Sequence, residues 1–250
     1  MEVASDIRGW GELIPDTLVL IFTKLSLRER LSVIPMVCKS WASAVNGPYC
    51  WQEIEITDWS SNYEHWKNER MVQMLIARSS GSLRKLSVSG LKTRKSFTFI
   101  AKNAGSLRDL RLPRCNMNDY AIARLTRKLS MISFLDLSYC IKVGGNAIKT
   151  IGRNCKQLEV FCWNMHPTYT WGKPLEDTKA FAIASTMSKL KRLEMVYHLI
   201  TNQGVLKIIS SCPKLECLDL RGCWGVKLDT MSVKQKFPKL MVLRPQILGN

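Results

Sequence analysis

Hydrophobic positions change period partway along the chain, and the change divides it in two. Over the first fifty residues the spacing is helical. Leu13-Ile14-Pro15-Asp16 opens a helix, with Pro15 in a permitted first-turn position. Leu18, Ile21, Phe22 and Leu25 follow on one stripe. Ser26 and Glu29 form a capping box that starts a second helix carrying Leu27, Leu31 and Val33, which Pro35 interrupts. Val37, Cys38, Trp41 and Val45 make a third stripe, stopped by Asn46-Gly47-Pro48. Three short helices bury little, yet their apolar residues are large and numerous. Such a surplus either meets a partner or caps the segment that follows.

Beyond residue 82 the period becomes a repeat. The pattern L-x-x-L-x-L begins at Leu83, Leu107, Ile132, Leu158, Leu190, Leu215 and Leu240, in steps of 24, 25, 26, 32, 25 and 25 residues. Such a unit cannot bury its apolar face alone, but stacked copies can. The expectation is an α/β solenoid: a curved parallel sheet with one short strand per repeat, and helices returning over the convex face. Segments such as Phe97 to Asn103, Ala147 to Arg153 and Val205 to Ser211 supply the helices. Between the two regions, Trp51 to Ile56 alternates like an edge strand and Glu69 to Ser79 reads as a helix, together an atypical first repeat. The predicted organisation is residues 1–50, a junction over 51–82, and repeats over 83–250.

Composition narrows the class. An apolar fraction of 46% argues for folded protein throughout. No apolar window is long enough to span a membrane, and Met1 to Trp10 lacks the apolar core of a signal peptide. A nuclear or cytoplasmic location is the expectation. The nine cysteines include no Cys-x-x-Cys pair, so neither a zinc module nor any other cofactor is expected. Cys115, Cys140, Cys155, Cys212 and Cys223 keep phase with the repeat and read as small buried residues. The three histidines, His65, His166 and His198, sit in no hydrolase, nucleotide or metalloprotease motif, so catalysis is not expected.

The net charge is +17, and its excess lies beyond residue 50, where 32 basic residues face 15 acidic ones. Arg84, Arg108, Lys156, Lys189, Lys191, Lys214 and Lys239 cluster where strands begin. They read as a solvated edge, as a guide for an acidic or phosphorylated target, or as a nucleic-acid track.

The N-terminal pattern resembles the F-box. Leu13-Ile14-Pro15, Leu18, Ile21-Phe22, Leu25, Leu31, Val37-Cys38-Lys39, Trp41 and Trp51 reproduce it in order and spacing. The repeats resemble the cysteine-containing class of leucine-rich repeat often found behind an F-box, and Gly47 to Ile54 resembles a plant subfamily of short F-box/leucine-rich-repeat proteins. The resemblance implies a non-catalytic substrate receptor of a ubiquitin ligase that binds a Skp adaptor and, through it, a cullin. It places Leu13, Ile14, Pro15, Leu18, Ile21, Phe22 and Leu25 at the adaptor, with Val37, Cys38 and Trp41 completing the module. The alternative is a basic repeat scaffold that binds RNA or a phosphorylated protein.

Strand alternation predicts which residues line the concavity: Lys85, Ser87, Asp109, Arg111, Phe134, Asp136, Val160, Cys162, Arg192, Glu194, Cys217, Asp219, Val242 and Arg244. The mixture of signs argues against nucleic acid. The long step from Leu158 to Leu190 holds an insertion, His166 to Pro174, whose prolines and glycine read as a loop. Following a strand end, it would overhang the rim near Tyr139, Tyr197 and His198. Either Trp171 folds back onto a neighbouring repeat, or Tyr169 and Trp171 hold a target beside Arg192 and Arg221.

Overall fold

The computed structural model describes residues 9–56 and 65–244. After a 3-10 turn at Trp10–Glu12 come four short helices: α1 (Pro15–Phe22), α2 (Leu27–Ser32), α3 (Ile34–Val37) and α4 (Lys39–Asn46). Ser26 caps α2 as expected, its side chain accepting from the Glu29 N–H while Glu29 reaches back to the Ser26 N–H at 2.8 Å. Pro35 differs from expectation. It sits in the first turn of a new helix, α3, where its missing N–H costs nothing. Val37 ends α3 and Cys38 is extended between α3 and α4, so neither shares the third helical stripe with Trp41 and Val45.

The rest of the chain alternates strand and helix. β1 (Glu53–Ile56) precedes α5 (His65–Arg78), then β2 (Lys85–Val88), α6 (Arg94–Lys102), β3 (Asp109–Arg111), α7 (Asp119–Thr126) and β4 (Phe134–Asp136). They are followed by α8 (Gly145–Asn154), β5 (Val160–Cys162), α9 (Thr178–Thr186), β6 (Arg192–Glu194), α10 (Asn202–Ser211), β7 (Cys217–Asp219), α11 (Thr230–Lys236) and β8 (Met241–Leu243). The strands pair in parallel and in sequence order, β1 to β8. One register row, Ile54, Leu86, Leu110, Leu135, Phe161, Leu193, Leu218 and Val242, crosses the whole sheet. From Leu86 to Leu218 this is the second apolar position of each repeat; the last repeat is shifted by one, so Val242, expected to face the concavity, takes the core row, while Leu243 pairs with Asp219. From Ile54 to Leu218 every member of the row is buried, forming the spine of the core. Among the described residues no helix is long and apolar enough to cross a membrane.

Helix starts are tied across repeats by polar side chains. Asp119 accepts from the Gly144 N–H at 2.9 Å, Asp177 from Thr201 at 2.9 Å and Asn202 from Lys227 at 2.7 Å. Glu69 of α5 does the same for the Lys92 and Thr93 N–H groups, at 3.0 and 2.9 Å. Burial pushes the Glu69 carboxyl up, but these bonds and that from the Thr93 hydroxyl outweigh it and hold it below the usual range.

Trp51 joins the helical module to the sheet. It is fully buried, and its Nε1 donates to the Val45 carbonyl at 2.7 Å. The guanidinium groups of Arg30 from α2 and Arg78 from α5 each lie 5.2 Å from its ring. Arg30 is itself buried and donates to the Cys50 carbonyl at 2.8 Å.

Candidate interaction surfaces

The helical module separates its apolar residues into a filled core and an open surface. Leu18 and Phe22, expected at the adaptor, have no exposed area. They pack with Ile34, Ala44 and Val45, and the Phe22 ring meets Trp41 edge-on at 5.2 Å. Their spacing of four puts them on the inner face of α1, so in this chain they hold the module together. Leu13, Leu25 and Trp41 are half-buried against the same core. Ile14, Pro15, Ile21, Val37 and Cys38 are exposed. The structure adds Trp10, Leu20, Val33 and Met36, the last 83% exposed. Trp41 Nε1 donates to the Trp10 carbonyl at 3.1 Å, which fixes the Trp10 turn against α4. Helical period finds a core stripe but also draws in Ile21 and Val33, which the structure leaves exposed; Trp10, Leu20 and Met36 lie off the stripes and carry no such signal.

On the solenoid, the turns leaving the strands carry a regular device. The position seven after each repeat start has a left-handed backbone in Gly90, Arg114, Tyr139, Tyr197 and Gly222. The next position holds Cys115, Cys140, His198 and Cys223, and each reaches back to the strand end of the preceding repeat. The thiols of Cys115, Cys140 and Cys223 donate to Val88, Leu112 and Met195 carbonyls at 3.9, 3.2 and 3.0 Å. His198 does the same to Trp163, its Nε2 2.6 Å from the carbonyl. His198 was expected on the target surface and is instead 3% exposed, because it occupies the cysteine slot. Its ring centroid lies 4.5 Å from that of Trp163. Burial pushes the Cys140 and Cys223 thiols up to about 12, so they stay protonated donors.

Left-handed backbone is costly for a bulky residue. Tyr197 is half-buried and its ring covers Gly222, where a Cβ would collide with it. Tyr139 is exposed, with the Arg114 guanidinium 5.3 Å above its ring. Tyr139→Gly is therefore expected to raise unfolding free energy by about 1 kcal/mol through relief of the backbone, read by urea denaturation. A loss of 1 kcal/mol or more, by the same scale, would show that the tyrosine's contacts outweigh its strain.

The sheet face neutralises itself. Arg111 pairs with Asp109 at 3.0 Å and Arg192 with Glu194 at 2.7 Å, each pair on one strand, and Arg221, on the turn after β7, pairs with Asp219 at 2.7 Å. Asp219, expected to meet a target, is buried beneath Arg221, which remains 63% exposed at its side chain. Burial raises the Asp136 carboxyl, which accepts from the Ser138 N–H at 2.8 Å. Glu194 also takes a hydrogen bond from Asn164 at 3.0 Å. The basic row at strand starts is interrupted as well. The residues in register there are Arg84, Arg108, Ser133, Glu159, Lys191 and Glu216, and Lys191 pairs with Glu159 at 3.0 Å.

The insertion forms a 3-10 turn at Pro167–Thr170 and a long approach to α9. Trp171 does not fold back; it is 79% exposed. Tyr169 is half-buried against the core and roofs a cleft of about 260 Å³ with Lys173, Lys179, His198 and Ile200. Leu175 packs where a side chain at Gly225 would fall, which brings the insertion to the turn carrying Trp224. Arg192, expected beside the insertion, lies instead on the sheet face with Glu194. Trp224, 64% exposed, had no periodic signal because turn residues keep no hydrophobic phase.

Fold and surfaces together define a leucine-rich-repeat solenoid preceded by a small helical module with an uncovered apolar face. Comparison with known proteins places it more closely. The chain is 52% identical over its full length to F-box protein FBW2 of Arabidopsis thaliana, of which it covers 79%. It is 30% identical over 98% of its length to F-box protein SKIP19 of the same plant, again covering 79% of that protein. It is also 30% identical to the plant's Putative F-box/LRR-repeat protein 23, spanning about half (53%) of it. No family model matches. The leucine-rich-repeat protein LegL7 of Legionella pneumophila shares the fold, with a TM-score of 0.51 over 72% of this chain and 62% of that one, at 15% identity. The chain belongs to the F-box/leucine-rich-repeat proteins.

Proposed function

We propose that this chain is the substrate-receptor subunit of a Skp-cullin-F-box ubiquitin ligase. The helical module binds the Skp adaptor, and through it the cullin; the repeats bind a target protein. The subunit performs no chemistry itself and acts by proximity, holding a target lysine near a ubiquitin-loaded enzyme. The observation that carries this reading is the module's division of labour. Leu18 and Phe22 already fill its core, yet Ile14 and Met36 remain 65% and 83% exposed. Apolar surface of that kind on so small a unit fits a partner. A nuclear or cytoplasmic location is part of the same proposal.

The test is co-purification of the full chain with a plant Skp adaptor. Ile14→Ala and Val37→Ala are each expected to weaken adaptor binding by about 1–2 kcal/mol, with an unchanged melting temperature. Undiminished capture of the adaptor by the folded double variant would remove these residues from the interface. Failure of the parent chain to capture the adaptor would sink the receptor reading itself.

A further inference from the structure

Two sets of the solenoid's cations, on the sheet and on the turns leaving the strands, differ in their partners. On the sheet face and at one strand start they meet carboxylates: Lys85 with Glu55, Arg111 with Asp109, Arg192 with Glu194 and Lys191 with Glu159; on the turn after β7, Arg221 is paired with Asp219. On the turns leaving the strands the carboxylates are already committed to the backbone. Asp119 and Asp177 hold neighbouring helix starts, and Asp229 caps α11 through Met231 and Ser232. Arg114, Lys142, Lys173 and Lys227 lie on these turns, with Glu176 the acid not so engaged.

The insertion concentrates this imbalance. Lys173 Nζ sits 3.4 Å from the centre of the Tyr169 ring, and Lys179 Nζ lies 5.8 Å from the same ring and 5.5 Å from Trp163. Among the described residues neither ammonium is in an ion pair; both lie over aromatic faces, and Glu176, which lines the same cleft, is one carboxylate against the two of them. Burial also lowers the Lys179 pKa, with Glu176 opposing it and Lys173 adding to it. Two ammonium groups set against rings, with a single carboxylate between them, leave an excess of positive charge that favours an incoming anion. Around the cleft stand apolar anchors: Trp171, Leu175 and Trp224, all exposed, on two turns that touch through Leu175 and Gly225. Exposed tryptophans beside free cations fit a polypeptide that brings both acids and apolar side chains.

We propose that this rim, with the cleft under the insertion at its centre, docks an acidic segment of the target protein, a carboxylate facing Lys173 and Lys179 and apolar side chains resting on Trp171 and Trp224. The proposal rests on the receptor reading and supplies the target's chemistry.

The experiment uses the full chain co-purified with the Skp adaptor, and a fluorescein-labelled peptide of Glu-Glu-Phe repeats read by fluorescence anisotropy. Lys173→Glu with Lys179→Met is expected to raise the Kd by about tenfold or more, and Trp171→Ala with Trp224→Ala by a similar factor. Reversing charge on the convex face, by Arg124→Glu with Lys128→Glu, should change it less than about twofold, since those charges stand well away from the cleft. Should Lys179→Met disturb folding, exposed Lys173→Glu alone carries the same reading. A phosphoserine version of the peptide, bound more tightly and equally sensitive to Lys173, would assign the charge to phosphate on the same kind of segment. Equal losses from convex and rim variants would overturn the proposal in favour of bulk charge. So would tighter binding of poly(U) RNA than of either peptide, or no peptide binding at all. Adaptor co-purification is scored separately, so loss of the docking site and loss of the receptor role give different results.

Discussion

Trp51→Ala is expected to cost about 3–5 kcal/mol and to split one unfolding transition into two. The side chain has no exposed surface, so truncation removes a large buried ring and leaves a cavity at the junction. It also removes the acceptor face for two cations from different parts of the chain, Arg30 and Arg78, both 5.2 Å from the ring. Arg30 is 7% exposed and keeps its bond to the Cys50 carbonyl, so losing the ring leaves a buried charge poorly compensated. The Val45 carbonyl loses its partner, the indole N–H at 2.7 Å. Because α2, α4 and α5 all meet this residue, the helical module should melt before the solenoid. Urea denaturation followed by circular dichroism, alongside adaptor binding, reads both effects. Trp51→Phe keeps most of the apolar bulk and loses the N–H, and should cost about 1–2 kcal/mol. A Trp51→Ala protein that unfolds in one transition at an unchanged midpoint would show that the junction is held elsewhere.

The same residue shows what a sequence reveals and what it hides. Trp51 matched the F-box pattern by position, yet nothing in its neighbours indicated two arginines converging on it, because Arg30 and Arg78 are 21 and 27 residues away along the chain. The solenoid was legible because its core repeats: from Leu86 to Leu218 the second apolar position of each repeat forms one row across the sheet, and only the decayed last repeat slips by one. Periodicity identifies what is buried, and that is why Leu18 and Phe22 stood out and then proved to be core. Surfaces follow no period. Met36 and Trp224 carry no periodic signal for that reason, and Trp171 stands out only through the insertion that breaks the repeat length. His198 is the instructive case. Counted from Leu190 it falls eight residues on, the slot of Cys115 from Leu107 and Cys223 from Leu215. Its phase argued for burial, while its chemistry drew it toward the surface, and phase prevailed.

Acidification should destabilise the solenoid through that histidine. Burial lowers the His198 pKa from 6.5 to about 4, with nearby Lys179 acting in the same direction and the Trp163 carbonyl opposing both. The folded state therefore holds the ring neutral where the unfolded chain would already protonate it. Between pH 6.5 and 4 the unfolded state binds more protons, so stability is full above the unfolded pKa and falls as pH drops toward the folded one. Integrated over that window the loss is about 2 kcal/mol at pH 5 and about 3 kcal/mol at pH 4. Asp136 works the other way, since burial raises its carboxyl and acid relieves it, so the whole protein's profile mixes the two. The difference between parent and His198→Gln isolates the histidine: the amide keeps a donor for the Trp163 carbonyl but does not titrate in this range. Urea midpoints measured from pH 7 to pH 4 should fall more steeply for the parent than for the variant. Parallel profiles would mean that the ring is already accessible to protons in the native state. Cys223 provides an internal reading, because its Sγ accepts the His198 N–H at 3.3 Å and donates to Met195. If protonating His198 loosens this turn, labelling of Cys223 by a thiol reagent that reacts at acid pH should quicken in the parent below pH 5 and stay slow in His198→Gln, within about the same pH range that the linkage defines.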